Sequence, residues 1–141
     1  MSVSLYGSGQ TVLQVVNANI PTGFSTTANT PTATTATATI TPQSTTSKIL
    51  VLYTCIWNGS ANGTGLTLAV YRGGSSVSGD IGGQYTGTGS SLTTGQALTY
   101  LDSPSTTSAT TYTIYARNST ATGTVSTTNA GTITLIEISG S

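Results

Sequence analysis

The spacing of apolar residues is the feature that most constrains the fold of this chain. No apolar pattern at i, i+3, i+4 and i+7 continues for three turns, as an amphipathic helix requires. Short runs rich in Thr, Val, Ile and Tyr are instead separated by Gly, Asn and Pro, which are turn residues. The pattern therefore predicts an all-β fold in which eight or so strands form a single domain, either as two packed antiparallel sheets or as a barrel.

The strongest predicted strand covers residues 48–57, where Leu50, Leu52 and Ile56 share one face. The odd-numbered apolar residues share the other face, so we expect both faces to be covered, as in a central strand. The Asn-Gly pairs that follow predict a hairpin with the strand at 66–72. Other strands are expected at 11–18, within 24–40, and at 97–101, 111–118 and 132–138.

The rest of the sequence divides the chain into an arm and a domain. Residues 1–10 are interpreted as an N-terminal arm with one aromatic side chain, Tyr6, and residues 11–141 as the β-sandwich domain. The Gly- and Ser-rich stretch 73–95 carries Ile81 and Tyr85 as isolated apolar side chains. We expect this stretch to be a long excursion with one or two short strands that binds something, because structureless loops of this length are uncommon in compact domains.

Composition excludes several classes of partner. Only 4% of the 141 residues are charged, the formal net charge is zero, and polarity comes mainly from 33 Thr and 19 Ser. The charges are scattered singly, so we expect binding neither to nucleic acid nor to an anionic membrane surface. The apolar run 49–57 is too short to span a bilayer, and residues 1–9 lack the features of a secretory leader. Near-zero net charge favours a protein that is a subunit of a permanent assembly.

The residue types that catalysis needs are missing or isolated. The chain has no His, and its single Cys, Cys55, lies in an apolar run and predicts a buried, inert thiol. The three acidic residues are far apart, with no local signature that joins them. Asp102 is interpreted as a cap of its own turn, and Glu137 as a rim charge paired with Arg117 or Lys48. We therefore expect no enzyme, no metal site and no cofactor.

Two surface features leave alternatives open. Thr alternates with Ala and Ile over 35–41, which favours a solvated strand face over an ice-binding array, since such arrays need stacked repeats. Aromatic side chains at Trp57, Tyr71 and Tyr85 are candidates for a sugar-stacking surface. Trp57 is nevertheless more typical of a core residue, because it ends the strongest strand.

The stretch 101–112 is predicted to be a corner between two strands. Asp102 can accept hydrogen bonds from nearby backbone N–H groups, and Pro104 fixes φ and stops strand pairing. Tyr112 begins the next strand with a hydroxyl that can reach back to the corner. We interpret these three residues as a structural clamp and expect Tyr112→Phe to cost stability on the order of 1 kcal/mol.

Four segments, 12–16 (VLQVV), 40–51, 101–112 (LDSPSTTSATTY) and 133–138 (ITLIEI), span most of the chain. Together, in order and spacing, they resemble a widespread β-sandwich module of tailed phages, especially phages of marine bacteria and cyanobacteria. Such modules are found in tail fibres and in head-decorating proteins, so the resemblance implies a virion component. It implies no catalytic, cofactor-binding or metal-binding residues.

These observations lead to one functional hypothesis and two rivals. We expect a capsid decoration, or cement, protein whose fold is a single antiparallel β-sandwich, jelly-roll-like, with about eight strands. It is expected to be a homotrimer, made in the host cytoplasm, that binds the major capsid protein on the outside of the phage head. Tyr6, Ile81 and Tyr85 are its candidate interface residues. The first rival is a receptor-binding module of a tail fibre or tail tip that recognises host surface glycans. The second is a host-made ice-binding or adhesive protein.

Overall fold

The structure is a computed structural model that describes residues 9–60, 62–85, 91–120, 123–127 and 131–140, with only the backbone at 84 and 85. All regular structure in these residues is β-strand. The strands are β1 (Val12–Ile20), β2 (Phe24–Thr26), β3 (Thr32–Ile40), β4 (Lys48–Gly59), β5 (Gly65–Arg72), β6 (Ser75–Tyr85), β7 (Leu92–Asp102), β8 (Thr110–Asn118), β9 (Val125–Thr127) and β10 (Gly131–Ile138). In this part of the chain, β2 and β9 have 3 residues each and the others have at least 8.

The strands form two antiparallel sheets. Sheet A has the order β1-β10-β4-β7. The short strand β9 pairs with the same edge of β4 as β10 does, and β2 pairs with β9. Sheet B has the order β3-β8-β5-β6. If the long strands are renumbered along the chain, the sheets read 1-8-3-6 and 2-7-4-5, which is the strand order of a jelly roll. The predicted all-β, jelly-roll-like sandwich is therefore confirmed.

The core lies between the inner faces of the two sheets. β4 contributes every second residue over 49–57, including Trp57, which is fully buried as expected. Tyr112, Ile114 and Ala116 on β8 belong to the same cluster. Burying an apolar side chain of this size stabilises by roughly 1.5–3 kcal/mol, so this alternating face is a main source of stability.

β4 and β5 do not form the predicted hairpin. β4 lies in sheet A and β5 in sheet B, so the chain crosses between the sheets after β4. Asn-Gly pairs permit positive φ, as Gly63 shows with φ 78°, but they do not decide which strands pair. The hairpin partner of β5 is β6, through Gly73 and Gly74, which have φ 54° and 85°. Positive φ at both turn residues is typical of a tight two-residue hairpin.

The stretch 73–95 contains longer strands than its composition predicts. β6 covers Ser75–Tyr85 and β7 already begins at Leu92. β6 is an edge strand whose pairing with β5 is interrupted by two register shifts, and Gly79 and Gly82 have positive φ of 65° and 125°. An edge strand with such irregularities tolerates Gly and Ser, so its sequence does not show the usual strand pattern.

One glycine is required by a close backbone contact. Gly131 begins β10 with φ 80°, and a Cβ atom there would overlap the backbone oxygen of Thr54 on β4. Both the backbone angle and the space exclude other residues at this position.

Candidate assembly surface

A row of aliphatic side chains crosses the outer face of sheet A. Val15 on β1 pairs with Ile136 on β10. Ile136 pairs in turn with Leu50 on β4, and Leu50 pairs with Leu101 on β7. Paired residues of neighbouring strands point to the same face, so the four side chains form a continuous row about 14 Å long. We call this row the apolar band.

A second row lies beside the apolar band. Val12 on β1 pairs with Ile138 on β10, which pairs with Lys48 on β4. Residues of both rows, together with Gln10 and Thr11, line an open groove of about 510 Å³. The groove is aliphatic apart from Lys48 and the two polar residues before β1.

The outer face of sheet A is exposed. Val12 is 61% exposed, Val15 58%, Ile56 52% and Leu101 48%. The prediction that β4 is covered on both faces is therefore wrong for the described part of the chain, because no second layer packs on its outer side. Apolar side chains scattered singly are normal on a protein surface, whereas large contiguous apolar patches mark sites of interaction.

Lys48 brings a positive charge to this apolar surface. The other two cations are engaged elsewhere: Arg72 contacts Asp102 at 2.6 Å, and Arg117 contacts Asp80 at 2.6 Å. Among the residues that the structure describes, no side-chain carboxylate lies within 4.0 Å of the Lys48 ammonium group. The surface therefore combines aliphatic groups with one cation that lacks a carboxylate partner in the described structure.

The corner residues meet where the two sheets approach each other. The hydroxyl of Tyr112 donates a hydrogen bond to Oδ2 of Asp102 at 2.6 Å, and Nη1 of Arg72 contacts the same oxygen at 2.6 Å. Asp102 ends β7 in sheet A, whereas Arg72 and Tyr112 belong to sheet B, so the carboxylate joins the sheets. Burial, and then the hydrogen bond to Asp102, raise the pKa of Tyr112. Pro104 follows the end of β7 and is half-buried.

Glu137 is fully buried, which contradicts its interpretation as a rim charge paired with Lys or Arg. Nε2 of Gln14 donates to Glu137 Oε2 at 2.6 Å, and the backbone N–H of Gln43 donates to Oε1 at 2.7 Å. Burial by itself would raise the pKa of Glu137, but the nearby Ser47 hydroxyl and the hydrogen bonds from Gln14 and backbone N–H groups outweigh it and lower the pKa. The carboxylate thereby fixes the chain between β3 and β4 to β1.

Of the three candidate interface residues, the structure describes only Ile81 with its side chain, and Ile81 does not lie on the apolar band. Ile81 is half-buried on β6 of sheet B and packs against the core. Tyr85 ends β6, and its side chain lies outside the described atoms. Tyr6 lies outside the described residues altogether. The sequence signal for the apolar band was the outer-face alternation of β4 and β10, but the register that aligns its members is a property of the folded sheet.

Threonines dominate part of the outer face of sheet B. The hydroxyls of Thr37 and Thr113 are 3.1 Å apart, and those of Thr39 and Thr111 are 2.8 Å apart. Two threonines of the series on β3 therefore pair with threonines of β8 across the sheet. Hydroxyls that hydrogen-bond to one another have less capacity to order a layer of water, which favours the solvated strand face expected from the sequence.

A tyrosine pair occupies another part of sheet B. The rings of Tyr71 on β5 and Tyr115 on β8 are stacked, with centroids 3.7 Å apart and an interplanar angle of 12°. Both residues are half-buried, so each ring covers one face of the other. Of the three aromatic residues considered for sugar stacking, Trp57 lies in the core and Tyr71 lies in this pair.

The residues that the structure describes hold neither a group of metal ligands nor a membrane-spanning helix. No three His, Cys, Asp or Glu side chains there are grouped so that they could hold a metal ion. Within the same ranges, no helix has the length and hydropathy that crossing a membrane requires. Cys55 is buried, and burial raises the pKa of its thiol.

Comparison with known proteins gives little further information. No protein-family model matches the sequence, and no curated protein is significantly similar to it. Among solved structures, the chain is similar to a chain in the structure of infectious bursal disease virus, strain Gx, with 12% identity and a TM-score of 0.36. The match covers 94% of this chain and 37% of the viral chain.

Proposed function

We propose that this chain is a structural protein of a phage virion, a capsid decoration protein that binds the outside of the head and acts without catalysis. The apolar band carries this proposal. Four aligned aliphatic side chains on an uncovered sheet face are costly to leave in water, and burial of such surface is the main driving force of permanent association. Binding of this face to the major capsid protein would remove the cost.

Two further observations support assembly. The formal net charge is zero, which removes the repulsion that keeps free proteins apart. The jelly-roll order is shared by many viral capsid domains, although a fold by itself does not determine function. The resemblance of the four sequence segments to phage virion modules points in the same direction, and a homotrimer on the capsid surface remains part of the proposal.

The alternative is a glycan-binding module of a tail fibre or tail tip. Its structural support is the Tyr71–Tyr115 pair on sheet B, because aromatic faces stack on sugar rings and jelly rolls also occur in lectins. A glycan array separates the two functions. Specific glycan binding that Tyr71→Ala abolishes would favour the tail module, whereas decoration predicts no such binding.

The decisive experiment locates the chain on purified virus particles by labelled electron microscopy and counts its copies. Hundreds of copies on the head are expected; a handful at the tail would refute decoration, and absence from particles would refute both virion roles. Particles stripped of the protein should rebind the native chain but not Leu101→Asp. Thr39→Asp is the matched control, since it places the same charge on the exposed outer face of sheet B.

A further inference from the structure

We propose that the groove beside Lys48 binds an acidic segment of a partner protein, in which a carboxylate is flanked by apolar side chains. This inference rests on the proposed function, because it names the chemistry that a virion partner would present to sheet A. The groove of about 510 Å³ has the size of a typical binding cleft. Its walls include Leu50, Leu101 and Ile136, and Lys48 stands among them.

Charge complementarity determines the partner's chemistry. A partner that covers the apolar band also removes water from around Lys48, and a buried ammonium group without a counter-charge is strongly unfavourable. In the described structure, no side-chain carboxylate of this chain is close enough to neutralise it. The partner must therefore supply the anion together with the apolar contacts, and a carboxylate between apolar side chains supplies both.

A second copy of this chain does not provide such a group. The chain has three acidic residues, and each is engaged within its own fold. Asp80 contacts Arg117, and Asp102 contacts Arg72. Glu137 is fully buried and accepts hydrogen bonds from Gln14 and from a backbone N–H. A copy could bring aliphatic side chains to the groove but no uncommitted side-chain carboxylate, so the partner is a different protein.

The aliphatic surroundings strengthen the expected ion pair. Apolar walls reduce the local dielectric constant and exclude mobile ions, so a pair formed there is screened less than one on an open surface. The methylene groups of Lys48 can lie along the groove while the ammonium group reaches the carboxylate. The apolar contacts provide affinity, and the ion pair selects an acidic segment over a neutral one.

Two matched peptides test this proposal with the purified full chain. Acetyl-Leu-Asp-Leu-amide and acetyl-Leu-Asn-Leu-amide differ only in the carboxylate, and amide NMR shifts report both affinity and location. The acidic peptide should bind about two- to fivefold more tightly, with shifts centred on Leu50, Leu101 and Ile136. The preference should disappear in Lys48→Gln, persist in Lys48→Arg and decline with added salt. Thr39→Asp, which changes net charge by the same amount as Lys48→Gln, should retain it.

Several results would overturn the proposal. Equal affinity for the two peptides, shifts centred elsewhere, or no binding of either peptide at millimolar concentration would each do so. A preference for the acidic peptide that persists in Lys48→Gln would show that Lys48 does not recognise the carboxylate. If the peptides bind only after deletion of residues 1–8, the chain's own N-terminal segment is the occupant of the groove. If the chain dimerises and Leu101→Asp abolishes dimerisation, a second copy of the chain is the occupant. None of these results depends on virus particles, so they are separate from a failure of the proposed function.

Discussion

Tyr112→Phe tests the claim that one carboxylate joins the two sheets. The substitution removes a single hydroxyl from a fully buried ring and leaves the apolar packing of that ring unchanged. The hydroxyl donates to Asp102 Oδ2 at 2.6 Å, and the same oxygen contacts Arg72. The variant therefore isolates one hydrogen bond of the Asp102 network without creating a cavity of any size.

The expected cost follows from the type of acceptor. Hydrogen bonds to charged groups contribute about 1.5–3 kcal/mol, compared with about 1 kcal/mol for neutral pairs. Arg72 still contacts the carboxylate in the variant, and its side chain is 33% exposed, so water can reach the edge of the site. We therefore expect the free energy of unfolding to fall by about 1.5–2 kcal/mol, somewhat more than the sequence alone indicated.

The measurement is urea unfolding with linear extrapolation, in which the midpoint should fall while the m-value stays constant. For a chain of this length the same loss lowers the melting temperature by about 5–7 °C. Tyr115→Phe, on the same strand but half-buried in the tyrosine stack, is the control and should change stability by less than about 0.5 kcal/mol. A loss below about 0.5 kcal/mol for Tyr112→Phe would refute the role given to Asp102.

Three further predictions concern buried groups. The pKa of Glu137 is lowered in the fold, so the contribution of its carboxylate to stability is complete above the unfolded pKa of about 4.3 and is lost as pH falls through the folded pKa. The free energy of unfolding of the native chain, relative to that of Glu137→Gln, should therefore decline below about pH 5. Urea titrations at a series of pH values measure this difference. Gly131→Ala should destabilise by roughly 3 kcal/mol or more and reduce soluble yield, since its Cβ would overlap Thr54. Cys55 should resist a thiol reagent at pH 8 until urea unfolds the chain; rapid reaction in the native state would contradict its burial.

The sequence predicted those strands in which apolar residues alternate with other residues. Alternation over 48–57 predicted β4, although not that only one of its faces is covered, and 111–118 and 132–138 lie close to β8 and β10. The number and spacing of such strands predicted two packed antiparallel sheets or a barrel, and the jelly-roll-like sandwich came with the resemblance to phage modules. The length of β6 was underestimated because its Gly and Ser residues indicated a loop. An edge strand with irregular pairing need not show an alternation of apolar residues.

Contacts between residues distant in the sequence were beyond the reach of pattern analysis. Glu137 and Gln14 are separated by 123 positions, and only the pairing of β1 with β10 brings them together. The apolar band has the same origin, since the alternation of Leu50 and Ile136 is visible but their alignment depends on register. A shift of one residue would have placed those side chains in the core and the buried carboxylate in solvent.

The two outer faces of the sandwich differ in how far their polar groups are satisfied and in how much apolar surface they expose. On sheet B the polar groups satisfy one another: threonine hydroxyls pair across β3 and β8, and Arg117 pairs with Asp80. On sheet A the exposed groups include the aliphatic side chains of Val12, Val15 and Leu101, and Lys48 has no carboxylate partner in the described part of the chain. A surface with satisfied polar groups loses little by facing water, whereas the apolar band gains from being covered. The proposed function therefore predicts that sheet A faces the partner and sheet B faces solvent.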